Sequence, residues 1–299
     1  MRIEALTARA AIVLGVAALF QGCALRQAAV DRFADAVADG GATYATDDDP
    51  ELVRAAVPFS LKLTESLIAE APTHKGLLLA AARGFTQYAY AFVQQEADET
   101  EDRDVAAAVN LQDRARRLYR RGRDYGLRGL GITVEQLRFE PRRALAGAAR
   151  TDAGLLYWTG AAWGASIALS KSDPEALADL PAMEALVDRA LELDEGYGHG
   201  AIHTFLIGYE MARQGAAGEP AQRARVHFAR AIELSRAGEA APYVALAESV
   251  CVPAQRRDEF QALLAEALRI EAAPNRLANL VMQRRARWLL ARIDRLFNE

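Results

Sequence analysis

With 299 residues, the chain is long enough to bury a sizeable core, and 52% of its residues are hydrophobic. Alanine, leucine, arginine and glutamate dominate over β-branched and aromatic residues, which predicts a mostly helical chain and argues against a sheet. The 36 basic and 40 acidic side chains are mixed along the sequence. A basic stripe is therefore not expected, and nucleic acid is not expected as a partner.

The N-terminus has the pattern of a lipoprotein signal. Arg2 and Arg9 bound a short charged segment, and an apolar run over residues 10–20 follows. That run is too short to span a bilayer, which takes about 20 helical residues, but it fits the apolar region of a secretory signal. Gly22 then precedes Cys23, as signal peptidase II requires, although the two residues before Gly22 depart from the commonest lipobox.

This pattern divides the chain into a removable signal over residues 1–22 and a single mature domain over residues 23–299. An ordinary or inefficiently processed signal is the alternative interpretation. Ala24 stands where inner-membrane lipoproteins carry a retention aspartate, which favours the outer membrane over the inner one. We therefore expect a periplasmic lipoprotein that contacts the membrane only through a lipid on Cys23.

Proline and glycine mark helix starts and ends along the mature chain. Two Asp-Pro-Glu tripeptides, at residues 49–51 and 173–175, place a capping carboxylate before a proline at the first helical position. Each tripeptide predicts a helix start, and the first helix should run to about Ala71 because a proline follows. We expect Gly126, Gly129 and Gly131 to break up the end of a long arginine-rich helix.

Helix pairs with the spacing of tetratricopeptide repeats follow one another along the chain. The second helix of such a pair carries a small residue, a large apolar one four residues later and a small one three further on, as Ala224, Phe228 and Ala231 do. Ala115, Tyr119 and Gly122 fit this spacing as well. Two further sets match it more loosely: Met183, Val187 and Ala190, and Phe260, Leu264 and Ala267. The intervals between the sets are irregular, which places insertions around residues 97–104 and 132–151.

The predicted fold class is therefore all-α, a tetratricopeptide-like helical repeat solenoid with degenerate repeats and insertions. The last segment, NRLANLVMQRRARWLLARIDRLF, alternates an apolar stripe with arginines. Such a pattern predicts a terminal capping helix with one buried and one solvated face.

The sequence contains no phosphate loop, dinucleotide fingerprint, HExxH or nucleophile elbow. The glycine-rich segment 196–200 follows a helix and not a strand, so we interpret it as a turn between repeats. His199 and His203 lie four apart with Glu195 four further upstream, a spacing that suits metal ligands on one helix face, but the glycines interrupt that helix. The acidic run 47–49 lacks the glycine and distal glutamate of a calcium loop. No catalytic residue, metal or cofactor is expected.

Aromatic residues form the candidate binding site. Three rings of GFTQYAYAFVQQ share one helix face, and in tetratricopeptide arrays the fifth and ninth positions of the first helix of each pair point into the concave surface. The predicted cavity lining consists of Phe85, Tyr88, Phe92, Tyr157, Trp158, His203, Phe205 and Tyr209. The alternative for each ring is simple packing between helices.

Five segments, in order, resemble the T-component family of TRAP transporters, TatT: DDDPELVRAAVPFSLKLTESLIAEAP, GFTQYAYAFVQQEADE, LLYWTGAAWGASIALSKSDPE, GAIHTFLIGYE and NRLANL. The resemblance covers nearly the whole mature chain. It implies a periplasmic, helical protein associated with tripartite ATP-independent periplasmic transporters and without catalytic residues. It further implies assembly with the substrate-binding P component, a homotrimer, and a pore with an apolar lining.

The sequence thus predicts a lipid-anchored scaffold that docks the P component and passes a hydrophobic or amphipathic ligand through its own cavity. The alternative is a generic tetratricopeptide-type adaptor that binds peptides or proteins of the cell envelope in a concave groove. An enclosed aromatic cavity favours the first hypothesis, and an open polar groove favours the second.

Overall fold

A computed structural model describes residues 32, 35–37, 41–271 and 275–298. All regular structure in these residues is helical, so the all-α prediction is confirmed. The predicted signal and Cys23 lie outside the described residues. Within the described part of the chain, no helix is long and apolar enough to cross a bilayer.

The helices are labelled here in chain order. They are α1 (Gly41–Ala45), α2 (Pro50–Glu70), α3 (Lys75–Tyr88), α4 (Gln95–Thr100), α5 (Val105–Leu130), α6 (Val134–Phe139), α7 (Pro141–Leu145), α8 (Ala153–Ala168), α9 (Pro174–Leu177), α10 (Leu180–Leu193), α11 (Ala201–Tyr209), α12 (Pro220–Ser235), α13 (Ala241–Leu246), α14 (Arg257–Arg269), α15 (Arg276–Ala291) and α16 (Ile293–Leu296). A first π-helical segment (Ala89–Gln94) joins α3 to α4, and a second (Ala247–Cys251) extends α13; 3₁₀ turns at Arg150–Asp152 and Tyr197–His199 precede α8 and α11.

Local capping explains where the proline-marked helices begin. The Asp49 carboxylate accepts hydrogen bonds from the backbone N–H groups of Glu51 and Leu52, at 3.1 and 3.0 Å. Asp173 caps α9 in the same way. The two predicted helix starts, and the end of α2 before Ala71, are confirmed. The first turn of a helix is determined by its own capping residues, so a local pattern was enough to place it.

The prediction that Gly126 and Gly129 break a helix is wrong. Helix α5 runs through both and ends at Gly131, whose φ of 68° is left-handed. A Cβ atom on Gly126 would lie 2.0 Å from the Thr159 hydroxyl oxygen, and one on Gly129 would lie 2.6 Å from a methyl carbon of Leu155. The two glycines therefore allow α5 and α8 to approach closely, which is a packing role and not a turn.

Each long helix packs on the next ones along the chain. Helix α3 contacts α2 and α5, α5 contacts α8, α8 contacts α10, α11 contacts α12, and α13 contacts α14. The residues that carried the repeat spacing are buried at these contacts, with one exception. Phe228 is half-buried, and its ring meets the edge of Tyr243 at a centroid distance of 5.6 Å. The tetratricopeptide-like arrangement of these pairs remains a prediction.

The last long helix packs against both the first and the last helices of the described chain. Helix α15 packs against α13 and α14 and also against α1 and α2. Arg284 donates two hydrogen bonds to Glu99, at 2.8 and 2.6 Å, and Arg285 donates one to Asp98 at 2.6 Å. The predicted capping helix therefore has partners for its arginines as well as for its apolar stripe.

Candidate functional site

Seven of the eight predicted lining residues, all but His203, fall into two separate hydrophobic clusters. Phe85, Tyr88 and Phe92 belong to one that is built around α2, α3 and α5, here called the α3 cluster. The second, called the α8–α11 cluster, contains the remaining four rings and one further tyrosine: Tyr157, Trp158, Tyr197, Phe205 and Tyr209.

The α3 cluster is closed to solvent. Phe85, Tyr88 and Phe92 are only 3%, 8% and 5% exposed. The Phe85 ring stacks on Tyr125 with a centroid distance of 5.8 Å, and the Arg121 guanidinium lies 4.8 Å from the Phe85 centroid. Rings that are enclosed by helices and covered by an arginine contribute to core packing. Burial here favours the packing interpretation over the cavity interpretation.

The α8–α11 cluster has a different neighbourhood. Tyr157 meets the edge of Trp158 at a centroid distance of 4.9 Å and lies 5.7 Å from the Tyr197 ring. The Trp158 indole N–H donates to the Tyr197 hydroxyl at 3.0 Å. Trp158 and Tyr197 are partly exposed. The two rings therefore combine apolar faces with a polar edge, as ligand sites commonly do.

The sequence did not predict Tyr197. It lies in the 3₁₀ turn that the glycine-rich segment forms, as expected for a turn between helices. Tyr197 approaches α8 where Gly154 has no side chain, because a Cβ there would lie 2.8 Å from the Tyr197 hydroxyl. The pairing depends on a contact between distant segments, so no local spacing could have indicated it.

Phe205 and Tyr209 form the other side of the cluster. Their rings stack at 5.9 Å, and the Tyr209 hydroxyl donates to a carboxylate oxygen of Glu184. Burial, followed by this carboxylate, raises the pKa of Tyr209 well above its usual value. A phenol in this environment remains neutral and acts as a hydrogen-bond donor.

A carboxyl group in the turn between α12 and α13 interacts electrostatically with the cluster. Burial, Tyr197 and then Glu239 raise the pKa of Tyr157. Burial also raises the pKa of Glu239, whose carboxyl accepts a hydrogen bond from the Asn275 side-chain amide at 2.6 Å. Glu239 was missed by sequence reasoning because it comes from a turn that lies distant from α8 in the chain.

His203 pairs with a histidine other than the one that its spacing suggested. Its Nδ1 atom lies 2.8 Å from Nδ1 of His227, and its Nε2 atom lies 3.3 Å from a Glu195 carboxylate oxygen, outside hydrogen-bond geometry. Burial lowers the pKa of both histidines, and for His203 the neighbouring His227 adds to this. Among the described residues, no group of three or more His, Cys, Asp or Glu side chains is arranged to hold a metal ion.

A polar junction forms where both π segments meet α15. Arg285 is bound by Glu248 of the second π segment and by Asp98, four residues after the first. The Gln95 side chain beside the first segment is buried, and neither of its amide atoms has a hydrogen-bond partner among the described residues. Short π-helical segments often lie at functional sites in helical proteins. The junction connects the ends of the helical array.

Stacked helix pairs with an aromatic cluster are typical of helical proteins that bind or assemble with other molecules. The chain belongs to the TRAP transporter T-component family, whose sequence model matches residues 46–297. It is also similar to an uncharacterised protein of Treponema pallidum (strain Nichols), with 31% identity over 271 residues, 87% of this chain and 84% of the relative. The family prediction is confirmed. The protein is therefore an accessory component of transport from a family that is not known for enzymes.

Proposed function

We propose that this protein is a lipid-anchored periplasmic component that docks the substrate-binding P component of a TRAP transporter and binds a hydrophobic or amphipathic ligand. Membership in the T-component family supports the accessory role in transport. The observation that carries the ligand proposal is the α8–α11 cluster, where partly exposed rings meet two tyrosine hydroxyls. The Tyr197 hydroxyl accepts from the Trp158 indole, and the Tyr209 hydroxyl donates to Glu184.

The chemistry of the cluster indicates the class of ligand. The partly exposed rings of Trp158 and Phe205 offer apolar faces, and the hydroxyls of Tyr197 and Tyr209 offer polar contacts. The Tyr157 ring is buried and packs against Trp158. A carbon skeleton with one or two polar groups matches such a wall. Passage of this ligand through a homotrimeric assembly is part of the same proposal.

Ligand binding can be tested by tryptophan fluorescence. Fatty acids added to the purified mature chain should alter the emission of Trp158, and Tyr157→Asp should weaken binding by about tenfold or more because an unpaired charge is costly in a desolvated wall. Tyr88→Phe, in the α3 cluster, is the control and should bind normally. If no small molecule binds at millimolar concentration while the P component does, the ligand proposal fails and the scaffold alone remains.

Docking can be tested with a purified substrate-binding P component of a TRAP transporter from the same organism. Co-purification of the two proteins supports the scaffold, whereas binding of unrelated envelope peptides in its place supports the generic adaptor. Sedimentation of the isolated chain reports whether it forms a trimer.

The lipid anchor can be tested by replacing Cys23. Cys23→Ala should abolish the incorporation of labelled fatty acid, because the thiol is the proposed site of acylation. Equal incorporation of label into the wild type and the variant would refute the anchor.

A further inference from the structure

The outer faces of α2 and α5 carry apolar side chains that are exposed to solvent. Phe59 is 74% exposed, which is unusual for a phenyl ring. The exposed large apolar residues of these two helices are Leu52, Phe59, Val105 and Val109. We call this surface the α2–α5 face.

Helices α2 and α5 run in the same direction and are connected by long side chains. Tyr125 donates to a Glu65 carboxylate oxygen at 2.7 Å, and Arg121 pairs with the same carboxylate. Further along, Arg128 donates to the Pro72 carbonyl oxygen at 3.4 Å, across a sequence separation of 56 residues. Arg121 lies at the same separation from Glu65, whereas Tyr125 lies 60 residues from it, so the offset between the two helices is 56 to 60 residues. The same offset places Phe59 level with the middle of α5.

The middle of α5 is rich in arginine. The helix contains seven arginines and two aspartates in its 26 residues. Five of these arginines are exposed: Arg114, Arg117, Arg120, Arg121 and Arg128. Arg117 and Arg120 have no ion-pair partner among the described residues. The expectation that the chain has no basic stripe is therefore wrong for α5, because helical spacing collects charges that look dispersed in the sequence.

The start of the described chain lies beside the same face. The Asp35 carboxylate is 3.2 Å from Nε2 of His74, at the turn between α2 and α3, and the Tyr44 hydroxyl is 2.5 Å from the Ser60 hydroxyl, next to Phe59. Eleven residues lie between Cys23 and Asp35, and a chain of that length reaches about 40 Å at most. With the lipid on Cys23, as proposed above, a bilayer surface is within reach of this face.

We propose that the α2–α5 face lies on an anionic phospholipid surface, with Leu52 and Phe59 at the boundary between headgroups and acyl chains and Arg117 and Arg120 on lipid phosphates. Arginines beside exposed apolar side chains are typical of interfacial membrane contacts. A second copy of the chain fits this face less well, because two such arginine stripes would repel each other. The sequence predicted the lipid on Cys23 as the only membrane contact. The α2–α5 face would be a second one, made by protein side chains.

Vesicle flotation tests this proposal without the acyl chain. The mature chain with Cys23→Ser should float with phosphatidylcholine vesicles that contain phosphatidylglycerol, and high salt should release it. Replacing Arg117→Gln together with Arg120→Gln should lower the affinity by about tenfold or more. Phe59→Ser should also weaken binding. Matched controls are Arg256→Gln with Arg269→Gln, which removes the same charge from exposed positions, and Val226→Ser, at a valine that is 61% exposed on α12.

Three results would overturn the proposal. The first is equal flotation with pure phosphatidylcholine, and the second is an equal loss in the control variants. The third is the absence of flotation by the Cys23→Ser chain. If Phe59→Ser then abolishes self-association, the face belongs to a second copy of the chain. If the chain instead binds duplex DNA, the face belongs to nucleic acid. Because the assay uses no acyl chain, it tests the α2–α5 face alone, whereas the incorporation of labelled fatty acid tests the lipid anchor. Failure of one proposal is therefore distinguishable from failure of the other.

Discussion

The α3 cluster and the α8–α11 cluster contain the same kinds of side chain in different surroundings. In the first, Phe85 lies between Tyr125 and Arg121 and has almost no contact with water. In the second, Trp158 and Phe205 remain partly exposed beside hydroxyl groups. The same helical spacing of rings therefore occurs in a closed core and in a candidate binding wall. What separates the two is the burial that the neighbouring helices impose.

The largest expected difference is in stability. Phe85→Ala should lower the free energy of unfolding by about 3 to 5 kcal/mol, because a fully buried ring is deleted and a cavity remains. Phe205→Ala should cost clearly less, since part of that ring already contacts water. Denaturant unfolding of both variants measures the difference. Equal losses would mean that the α8–α11 cluster is as closed as the α3 cluster.

The contact between the two clusters can be perturbed by adding one methyl group. Gly126→Ala should destabilise the protein by about 1 to 3 kcal/mol, because the new Cβ would overlap the Thr159 hydroxyl between α5 and α8. Gly147→Ala is the control, since a Cβ at that position meets no atom within 4 Å. Thermal unfolding of the two variants compares them, and similar midpoints would show that α5 and α8 can separate without cost.

A smaller, pH-dependent effect on stability is expected from His203 of α11 and His227 of α12. Folding lowers the pKa of His203 and His227 below the ordinary value of 6.5, so the unfolded chain binds protons first as the pH falls. Their contribution to stability is complete above pH 6.5 and decreases as the pH falls through the lowered folded values. Glu195 stays ionised in this range, because its hydrogen bond from Arg230 lowers its pKa to about 2.

Denaturant midpoints between neutral pH and pH 5 measure this slope. His203→Gln with His227→Gln should flatten it. An unchanged slope in the double variant would assign the acid sensitivity to other groups. Asp98 and Glu239 would not account for it, since burial raises the pKa of both and makes their contribution to stability increase as the pH falls.

Features that depend on neighbouring residues in the sequence were predictable. Asp49 and Asp173 cap helices that begin one residue later, so a tripeptide was enough to place them. The burial of Ala115, Tyr119 and similar sets followed from helical spacing. The family was predictable as well, because several segments carry its pattern in order.

Features that depend on contacts between distant segments were not predictable. Gly126 is a residue type that is common in turns, and only the close approach of Thr159 explains why a glycine lies inside the helix at this position. His227 and Glu239 reach the candidate site from other helix pairs, so no spacing rule connects them with His203 or Tyr157. Half of the predicted lining lies in the α8–α11 cluster, and the three rings of α3 lie in a closed core.

The position of α15 has a consequence for how the protein unfolds. In an open helical array each repeat is stabilised only by its neighbours, so the ends can unravel before the middle. Here Arg284 and Arg285 hold partners 185 and 187 residues away in the sequence. Loss of α15 would remove support from the first helices and the last ones together. Unfolding should therefore be cooperative across the array, and folding should be slow for a helical protein, because the final contacts require the closure of nearly the whole chain.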